Sequence, residues 1–222
     1  MPSIIKIKNI EHLTHDVLRI EAEKPAGLTY NPGQAADIAI NKPNWETEWR
    51  SFTFTSIPND DYIEFVIKIY PAHKGVTNEL LSLKAGDELI LGDVYGDITY
   101  KEEGIFIAGG AGITPFLAIL RYLEQQKQVG SNKLLFANKK QEDIIYKDKF
   151  QNLLGSNFIN ILSDEKIDGY EHGFITQEII HSNSDKSTKY YYLCGPPLMM
   201  DAVSRHLKAL GINEDYIIKE NF

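Results

Sequence analysis

The chain has 222 residues, enough for one large or two modest domains, and an ordinary globular composition of 43% hydrophobic and 24% charged residues. A formal net charge of −8 argues against nucleic acid as a partner, because binding phosphate backbones needs a concentrated basic face. One cysteine, Cys194, excludes a disulfide framework, a four-cysteine zinc site and a cysteine-ligated iron–sulfur cluster within the chain, and no apolar run is long enough to span a bilayer.

The first hundred residues read as β-rich. Ile4–Lys8, Val17–Glu21, Ala36–Ile40, Ser51–Thr55 and Tyr62–Tyr70 alternate or are β-branched. Pro-Gly, Pro-Asn-Asp and Ala-Gly-Asp turns punctuate them, which predicts an antiparallel barrel. One helix is expected inside it, over Val76–Leu83. After Tyr100 apolar strands alternate with helical patterns: strands at Ile105–Ala108, Lys133–Ala137, Phe158–Leu162, Tyr190–Leu193 and Tyr216–Ile218. Helices are expected at Pro115–Gln126, Tyr146–Leu154, Phe174–His181 and Pro197–Leu210. This alternation predicts a parallel sheet covered by helices on both faces. The polar, glycine-containing stretch Asp97–Gly104 is the expected boundary, dividing the chain into 1–99 and 100–222. The N-terminus lacks a signal peptide's basic start and long apolar stretch, so a soluble cytoplasmic protein is the expectation.

The most informative segment is Ala108-Gly109-Gly110-Ala111-Gly112-Ile113-Thr114-Pro115, between an expected strand and an expected helix. Glycines let a backbone approach a ligand, and the first amides of a helix point outward unpaired, so such a turn suits a dinucleotide pyrophosphate. Gly110 and Gly112 supply the G-x-G of a dinucleotide fingerprint, while its third glycine position holds Pro115. Proline suits a first helical position, and Thr114 could cap the helix and offer a hydroxyl to a phosphate. The next strand ends in Asn138-Lys139-Lys140, where two lysines would accept a 2′-phosphate and tilt the reading to NADPH over NADH; a solvated basic loop is the plain alternative.

A second anion-binding signature lies upstream. Arg50 opens Arg50-Ser51-Phe52-Thr53, and its guanidinium can grip a phosphate in bidentate fashion, with Phe52 offering a ring face and Thr53 a hydroxyl. Taken alone these residues read equally as an edge strand with a surface arginine. Cys194, in Tyr192-Leu193-Cys194-Gly195-Pro196-Pro197, follows a strand and precedes a helix; by itself it is a small buried hydrophobe.

Together these motifs resemble the ferredoxin–NADP⁺ reductase superfamily, almost end to end and in its order. Tyr30-Asn31-Pro32-Gly33-Gln34 is similar to its pre-motif turn, Arg50-Ser51-Phe52-Thr53 to its Arg-x-Tyr/Phe-Ser/Thr flavin motif, and Lys74-Gly75-Val76-Thr77-Asn78 to its second flavin-phosphate segment. Gly109–Pro115 is similar to its nicotinamide-nucleotide turn and Cys194-Gly195-Pro196 to its Cys-Gly-Pro motif. The resemblance implies an FAD-binding barrel over 1–99 and a Rossmann-like NAD(P)-binding domain over 100–222, with FAD favoured over FMN. It implies that Arg50 holds the flavin's phosphate or pyrophosphate, that Ser51 belongs to the flavin site, that Phe52 lies against the isoalloxazine and that Thr53 reaches toward its N5. Ile67, Lys68 and Ile69 would border the flavin, and Gly75, Val76 and Thr77 would meet its phosphates. Gly110, Gly112, Thr114, Asn138, Lys139, Gly195 and Pro196 would hold NAD(P), and Cys194 would stand beside the nicotinamide without acting as a nucleophile. Near the chain end, Glu220 would join Thr53 and Cys194 in a polar cluster and Phe222 would cover the flavin ring. A tyrosine is frequent in the family where Phe52 stands, so a hydroxyl bond from that position is absent.

The implied function is hydride transfer from NAD(P)H to bound flavin, then electron transfer to a separate carrier such as flavodoxin or ferredoxin. A reductase component of an oxygenase, or a free flavin or ferric reductase, differs only in the acceptor. A non-catalytic nucleotide-sensing subunit belongs to another class, and the intact Arg50 and Thr53 argue against it. The six histidines suggest no metal site; His12 and His15 are read as surface residues with no third ligand nearby. Trp45 and Trp49, with Glu46 and Glu48 between them, are read as loop packing before Arg50, with a partner surface or flavin lid as alternatives.

Overall fold

The computed structural model describes residues 2–220, and among them the chain forms two six-stranded sheets and five α-helices. The first sheet contains β1 (Ser3–Thr14), β2 (Val17–Glu23), β3 (Ala35–Ile40), β4 (Arg50–Thr53), β5 (Tyr62–Lys68) and, after helix α1 (Val76–Glu79), β6 (Glu88–Tyr95). All neighbours are antiparallel, in the order β4-β3-β6-β1-β2-β5. A bridge between Phe54 and Phe65 joins the chain just past β4 to β5, so the sheet closes into the expected barrel. Alternate residues point inward: Ile5 and Ile7, Leu18 and Ile20, Ile38 and Ile40, Ile63, Phe65 and Ile67 are all buried. Each contributes about 1.5–3 kcal/mol of transfer free energy. Tyr30 stacks on Phe54 with ring centroids 4.2 Å apart, and its hydroxyl donates to the Ile57 carbonyl at 3.0 Å.

Strand β6 carries no clear alternation in sequence. Its Leu89 and Leu91 point inward, but Gly92 and Asp93 interrupt the pattern, and both residue types are depleted in strands. Gly92 lies under the Trp49 ring, which a Cβ would approach to 3.1 Å, so the small residue answers to the loop above it. The helix expected over Val76–Leu83 is one α-helical turn that tightens into a 3₁₀ turn at Leu80–Ser82. Strand β5 stops at Lys68, short of Tyr70, and β4 stops at Thr53.

The second sheet is parallel throughout. It contains β7 (Gly104–Gly109), β8 (Lys133–Asn138), β9 (Phe158–Leu162), β10 (Glu171–His172), β11 (Tyr190–Cys194) and β12 (Ile217–Lys219), in the order β10-β9-β8-β7-β11-β12. Interleaved are α2 (Thr114–Gln125), α3 (Lys147–Leu154), α4 (Gln177–Asn183) and α5 (Pro197–Ala209). Phe106 and Phe136 face a cluster with Phe116, Leu120 and Phe150 from α2 and α3, while Ile107 and Leu193 face Ile180, Val203 and Leu207 from α4 and α5. Both faces are therefore covered, as the alternation requires. The two-residue β10 is too short to leave a periodic signal. Helix α4 starts three residues later than expected because Thr176 caps it, accepting the Ile179 amide at 3.2 Å.

The two sheets share a core. Val17 and Val66 of the barrel, and Ile98 of the connection, pack into the same cluster as Phe116 and Leu120 of α2. The chain outside β7 and β11 is where strand order reverses, the crevice in which open parallel sheets bind ligands.

Candidate nucleotide and flavin site

The glycine turn sits at that reversal. Residues Gly110–Ile113 form a 3₁₀ turn between β7 and α2, and the turn lies against both β8 and the barrel strand β5. Gly110 has φ +51°, and a Cβ there would meet nothing within 4 Å, so its outer side is open for a ligand. Gly112 has a different reason. A Cβ on it would stand 2.2 Å from the Cys194 carbonyl oxygen and 2.7 Å from the Gly195 Cα. The glycine turn and the Cys-Gly-Pro turn therefore pack backbone to backbone, an extension of the parallel pairing of Ala108 with Cys194. Thr114 is the first helical residue and not the cap; its hydroxyl donates back to the Ala111 carbonyl at 3.1 Å, and Pro115 takes the second position. Pro196 precedes α5 in an extended conformation and Pro197 opens that helix.

Cys194 is half-buried at the end of β11, and burial pushes its thiol up to about 12, with the Glu220 carboxylate adding to the shift. The site thiol is thus a neutral group at physiological pH. Glu220 follows β12 and returns to the barrel, where its carboxylate accepts the Asp97 amide at 3.4 Å and a Cβ on Gly96 would meet it at 3.2 Å. Tyr95, next to Gly96, pairs with Ala35, and Ala35 pairs on its other side with Thr53. One row thus runs Thr53, Ala35, Tyr95; Glu220 lies by Gly96 and Asp97 beyond its end and acts on Cys194 through its charge. Among the described residues the Thr53 hydroxyl makes no hydrogen bond. The expectation for Phe222 lies outside the described residues.

The other flavin-side residues divide by strand face. Arg50 is 51% exposed; its guanidinium donates to the Trp49 carbonyl at 2.6 Å and pairs loosely with Glu48 at 3.7 Å. Ser51 donates to Asp37 at 3.0 Å and also contacts the Tyr95 hydroxyl, which itself donates to Asp37 at 2.6 Å. Burial and that carboxylate both raise the Tyr95 pKa. Phe52 is half-buried against the barrel core, Ile67 and Ile69 are inside it, and Lys68 pairs with Asp16 at 2.7 Å on the outer face. Gly75 precedes α1, where a Cβ would meet only the His73 carbonyl at 4.0 Å; Val76 is buried and Thr77 is half-buried. Trp45 packs on the barrel core and Trp49 over Gly92, which makes the tryptophan segment a packed loop.

The residues present fit the two groups that the motifs imply. Asn138, at the carboxyl end of β8, is 8% exposed and its amide nitrogen has no partner, an orphaned donor beside the glycine turn. Arg50 has an exposed guanidinium whose one carboxylate neighbour is as exposed as itself, leaving its fork accessible to phosphate. Beyond Asn138 the chain stays paired to the β9 loop: the Asp164 amide donates to the Lys139 carbonyl at 2.9 Å. Lys139 and Lys140 are exposed, and Lys140 pairs with Glu142 at 3.6 Å.

Sequence reading passed over two apolar residues at this edge. Phe174, just before the Thr176 cap, is 79% exposed, and Leu198, at the start of α5, is 85% exposed. Phe174 follows β10 and Leu198 follows β11, so both stand at the carboxyl edge of the parallel sheet. An exposed large apolar side chain beside a ligand edge was the missing signal, and exposure is invisible in sequence. His15 also differs from its reading as an isolated surface residue. It is exposed, but its Nε2 lies 3.7 Å from Asp16 and 3.8 Å from Asp143, the latter contributed by the turn after β8. Lys68 already pairs with Asp16, so this group is a polar cluster bridging the two sheets. Among the described residues no helix is long and apolar enough to cross a membrane.

Comparison with known proteins agrees with this geometry. The FAD-binding domain family matches residues 3–132, and the oxidoreductase NAD-binding domain family matches residues 106–205. The chain is 32% identical to the reductase component of propane 2-monooxygenase from Rhodococcus jostii, over 98% of this chain and 62% of that protein. It is 27% identical to the electron transfer component of 2-halobenzoate 1,2-dioxygenase from Burkholderia cepacia, over 88% of this chain and 59% of that protein. It thus spans about three fifths of the length of these relatives. A ferredoxin NADP⁺ reductase from Neisseria gonorrhoeae, solved with bound FAD and NADP, superposes with a TM-score of 0.85 at 18% identity, covering 99% of this chain and 98% of that one. The chain belongs to the FAD-binding domain family, joined to an oxidoreductase NAD-binding domain, and shares its fold with ferredoxin NADP⁺ reductase.

Proposed function

We propose that the chain is an NAD(P)H-dependent flavoprotein reductase, with residues 1–99 holding FAD and 100–222 holding the nicotinamide coenzyme. The observation that carries this reading is the backbone contact of Gly112 with Cys194 at the strand-order reversal, with Glu220 bonded to the barrel's Asp97 amide and its charge acting on Cys194. When bound, FAD supplies the chemistry: it accepts a hydride from the reduced nicotinamide and releases electrons onward. The residues orient the two rings. Arg50, Ser51 and the amides of Gly75, Val76 and Thr77 hold the flavin phosphates, and Phe52 and Thr53 line its ring. Ile67, Lys68 and Ile69 border it through their backbone, since their side chains are engaged elsewhere. Gly110, Gly112 and the start of α2 hold the coenzyme pyrophosphate. Thr114 shapes that turn through its bond to Ala111, and Asn138 and Lys139 meet the coenzyme ribose and its phosphate. Gly195 and Pro196 shape the approach to Cys194, and Phe174 and Leu198 offer apolar surface at the same rim. Cys194, Thr53 and Glu220 hold the geometry of transfer.

The single cysteine leaves this segment no iron–sulfur cluster of its own, so electrons leave the flavin for an acceptor outside these residues. A small carrier such as flavodoxin or ferredoxin fits this need. The reductase-component reading has specific support in the oxygenase systems named for the relatives. Anaerobic titration of FAD-loaded protein with NADPH and then NADH, followed by absorbance, tests the proposal. Bleaching of the flavin band is expected; a flavin that neither coenzyme bleaches, or a protein that takes up no flavin, overturns it. Adding reduced protein to a flavodoxin, a ferredoxin or an oxygenase then separates the acceptors.

A further inference from the structure

Arg121 lies two helical turns after Thr114, on the helix that the glycine turn opens, yet all its polar partners belong to the barrel side. Its guanidinium donates to the Thr55 carbonyl at 2.6 Å, to Glu64 at 3.1 Å, to Asp60 at 3.2 Å and to the Tyr62 hydroxyl at 3.2 Å. Thr55 stands two residues past Thr53. Its amide donates to the Glu64 carbonyl at 2.8 Å and its hydroxyl to the Glu64 carboxylate at 2.8 Å. Glu64 is 2% exposed, and its second oxygen is taken by Arg19 at 2.7 Å. Arg121 and Arg19 are equally covered, at 16% and 18% side-chain exposure. The difference is direction: Arg19 joins β2 to β5 within the barrel, whereas Arg121 joins the coenzyme helix to the flavin strand.

We infer that Arg121 is a positioning residue for hydride transfer, setting the approach of the coenzyme turn to the flavin-motif strand; this rests on the proposed reductase function. The rigid path runs from Gly112 through α2 to Arg121, and from there through Thr55 to Thr53. A buried fork with four acceptors in fixed directions resists small displacements in a way that one point charge does not. Hydride transfer is steep in donor–acceptor separation, so a loosened fork reads out as rate before it reads out as binding.

The experiment compares Arg121→Met with Arg19→Met in FAD-loaded protein. Each removes one arginine from Glu64 and leaves the carboxylate the other; Arg19→Met also frees Glu11 and Glu21, so it serves as a control for loss of stability without loss of the crossing between the sheets. Stopped-flow flavin reduction by NAD(P)H is expected to slow by about tenfold to a hundredfold in Arg121→Met, with coenzyme affinity and flavin content retained. Arg19→Met is expected to keep the parent rate. In cofactor-free protein, amide hydrogen exchange over residues 110–117 is expected to accelerate in Arg121→Met alone. Equal rates in Arg121→Met and parent, or equal slowing in both variants, overturns the inference. If Arg121→Met does not fold, Arg121→Lys carries the same comparison, since an ammonium keeps the charge and loses the fork. If the parent itself is not reduced, it is the reductase reading that fails.

Discussion

Cys194 shows how position alters a side chain's chemistry. With its thiol pushed up to about 12, it stays protonated in the fold, whereas an unfolded cysteine ionises near pH ~8.5. A raised acid of this kind gives the unfolded chain the lower proton count above that value. Stability is therefore lost as pH rises from about 8.5 toward 12. Cys194→Ala is expected to lose less stability over that alkaline window, measured by chemical denaturation at stepped pH, and parent Cys194 is expected to resist iodoacetamide at neutral pH. Arg50 offers the opposite case, an exposed charge whose worth depends on a ligand. Removing a charge-assisted bond costs about 1.5–3 kcal/mol, so Arg50→Ala is expected to weaken FAD binding by about tenfold to a hundredfold, read by flavin fluorescence titration. The type of residue at both positions was legible in the sequence. The neutral state of Cys194 was not, because it depends on burial and on Glu220, which is remote in sequence.

The strand–turn–helix of the glycine segment was legible because spacing alone encodes it. Why each glycine is there was not, since that depends on what packs against the turn. Gly110→Ala places a methyl in open space at positive φ and costs about 1–2 kcal/mol in backbone strain. Gly112→Ala drives a methyl into the Cys194 carbonyl and forces the two turns apart, at about 1–3 kcal/mol. Thermal unfolding and coenzyme titration separate them: Gly110→Ala is expected to lose coenzyme affinity with a modest fall in Tm. Gly112→Ala is expected to lose hydride-transfer rate as well, because Cys194 moves with the turn. Thr114 illustrates a limit of local reading. A threonine before a helical run suggests a cap, but the preceding 3₁₀ turn puts it inside the helix, where its hydroxyl bonds backward.

The barrel and the parallel sheet share one apolar cluster and the Arg121–Glu64 network, so they are expected to unfold together. Calorimetry of the cofactor-free protein should give one transition; two separated transitions would show that the shared core contributes little. The change of texture near Tyr100 announced two architectures, because period-2 and βα patterns are local properties of the chain. The motifs and their order, through the family they resemble, likewise pointed to a flavin and a nicotinamide coenzyme, since phosphate-binding turns are short and contiguous. The closing of the barrel through Phe54 and Phe65, the position of β6, and the exposure of Phe174 and Leu198 needed the folded molecule. So did the contact of the glycine turn with Cys194 and the crossing of Arg121 between the sheets. Sequence by itself, through the family its motifs resemble, pointed to a flavin and a nicotinamide coenzyme and to the kind of scaffold that holds them. Tertiary structure alone decided how the two binding elements face each other, because that geometry arises from contacts between residues far apart in the chain, which no local pattern records.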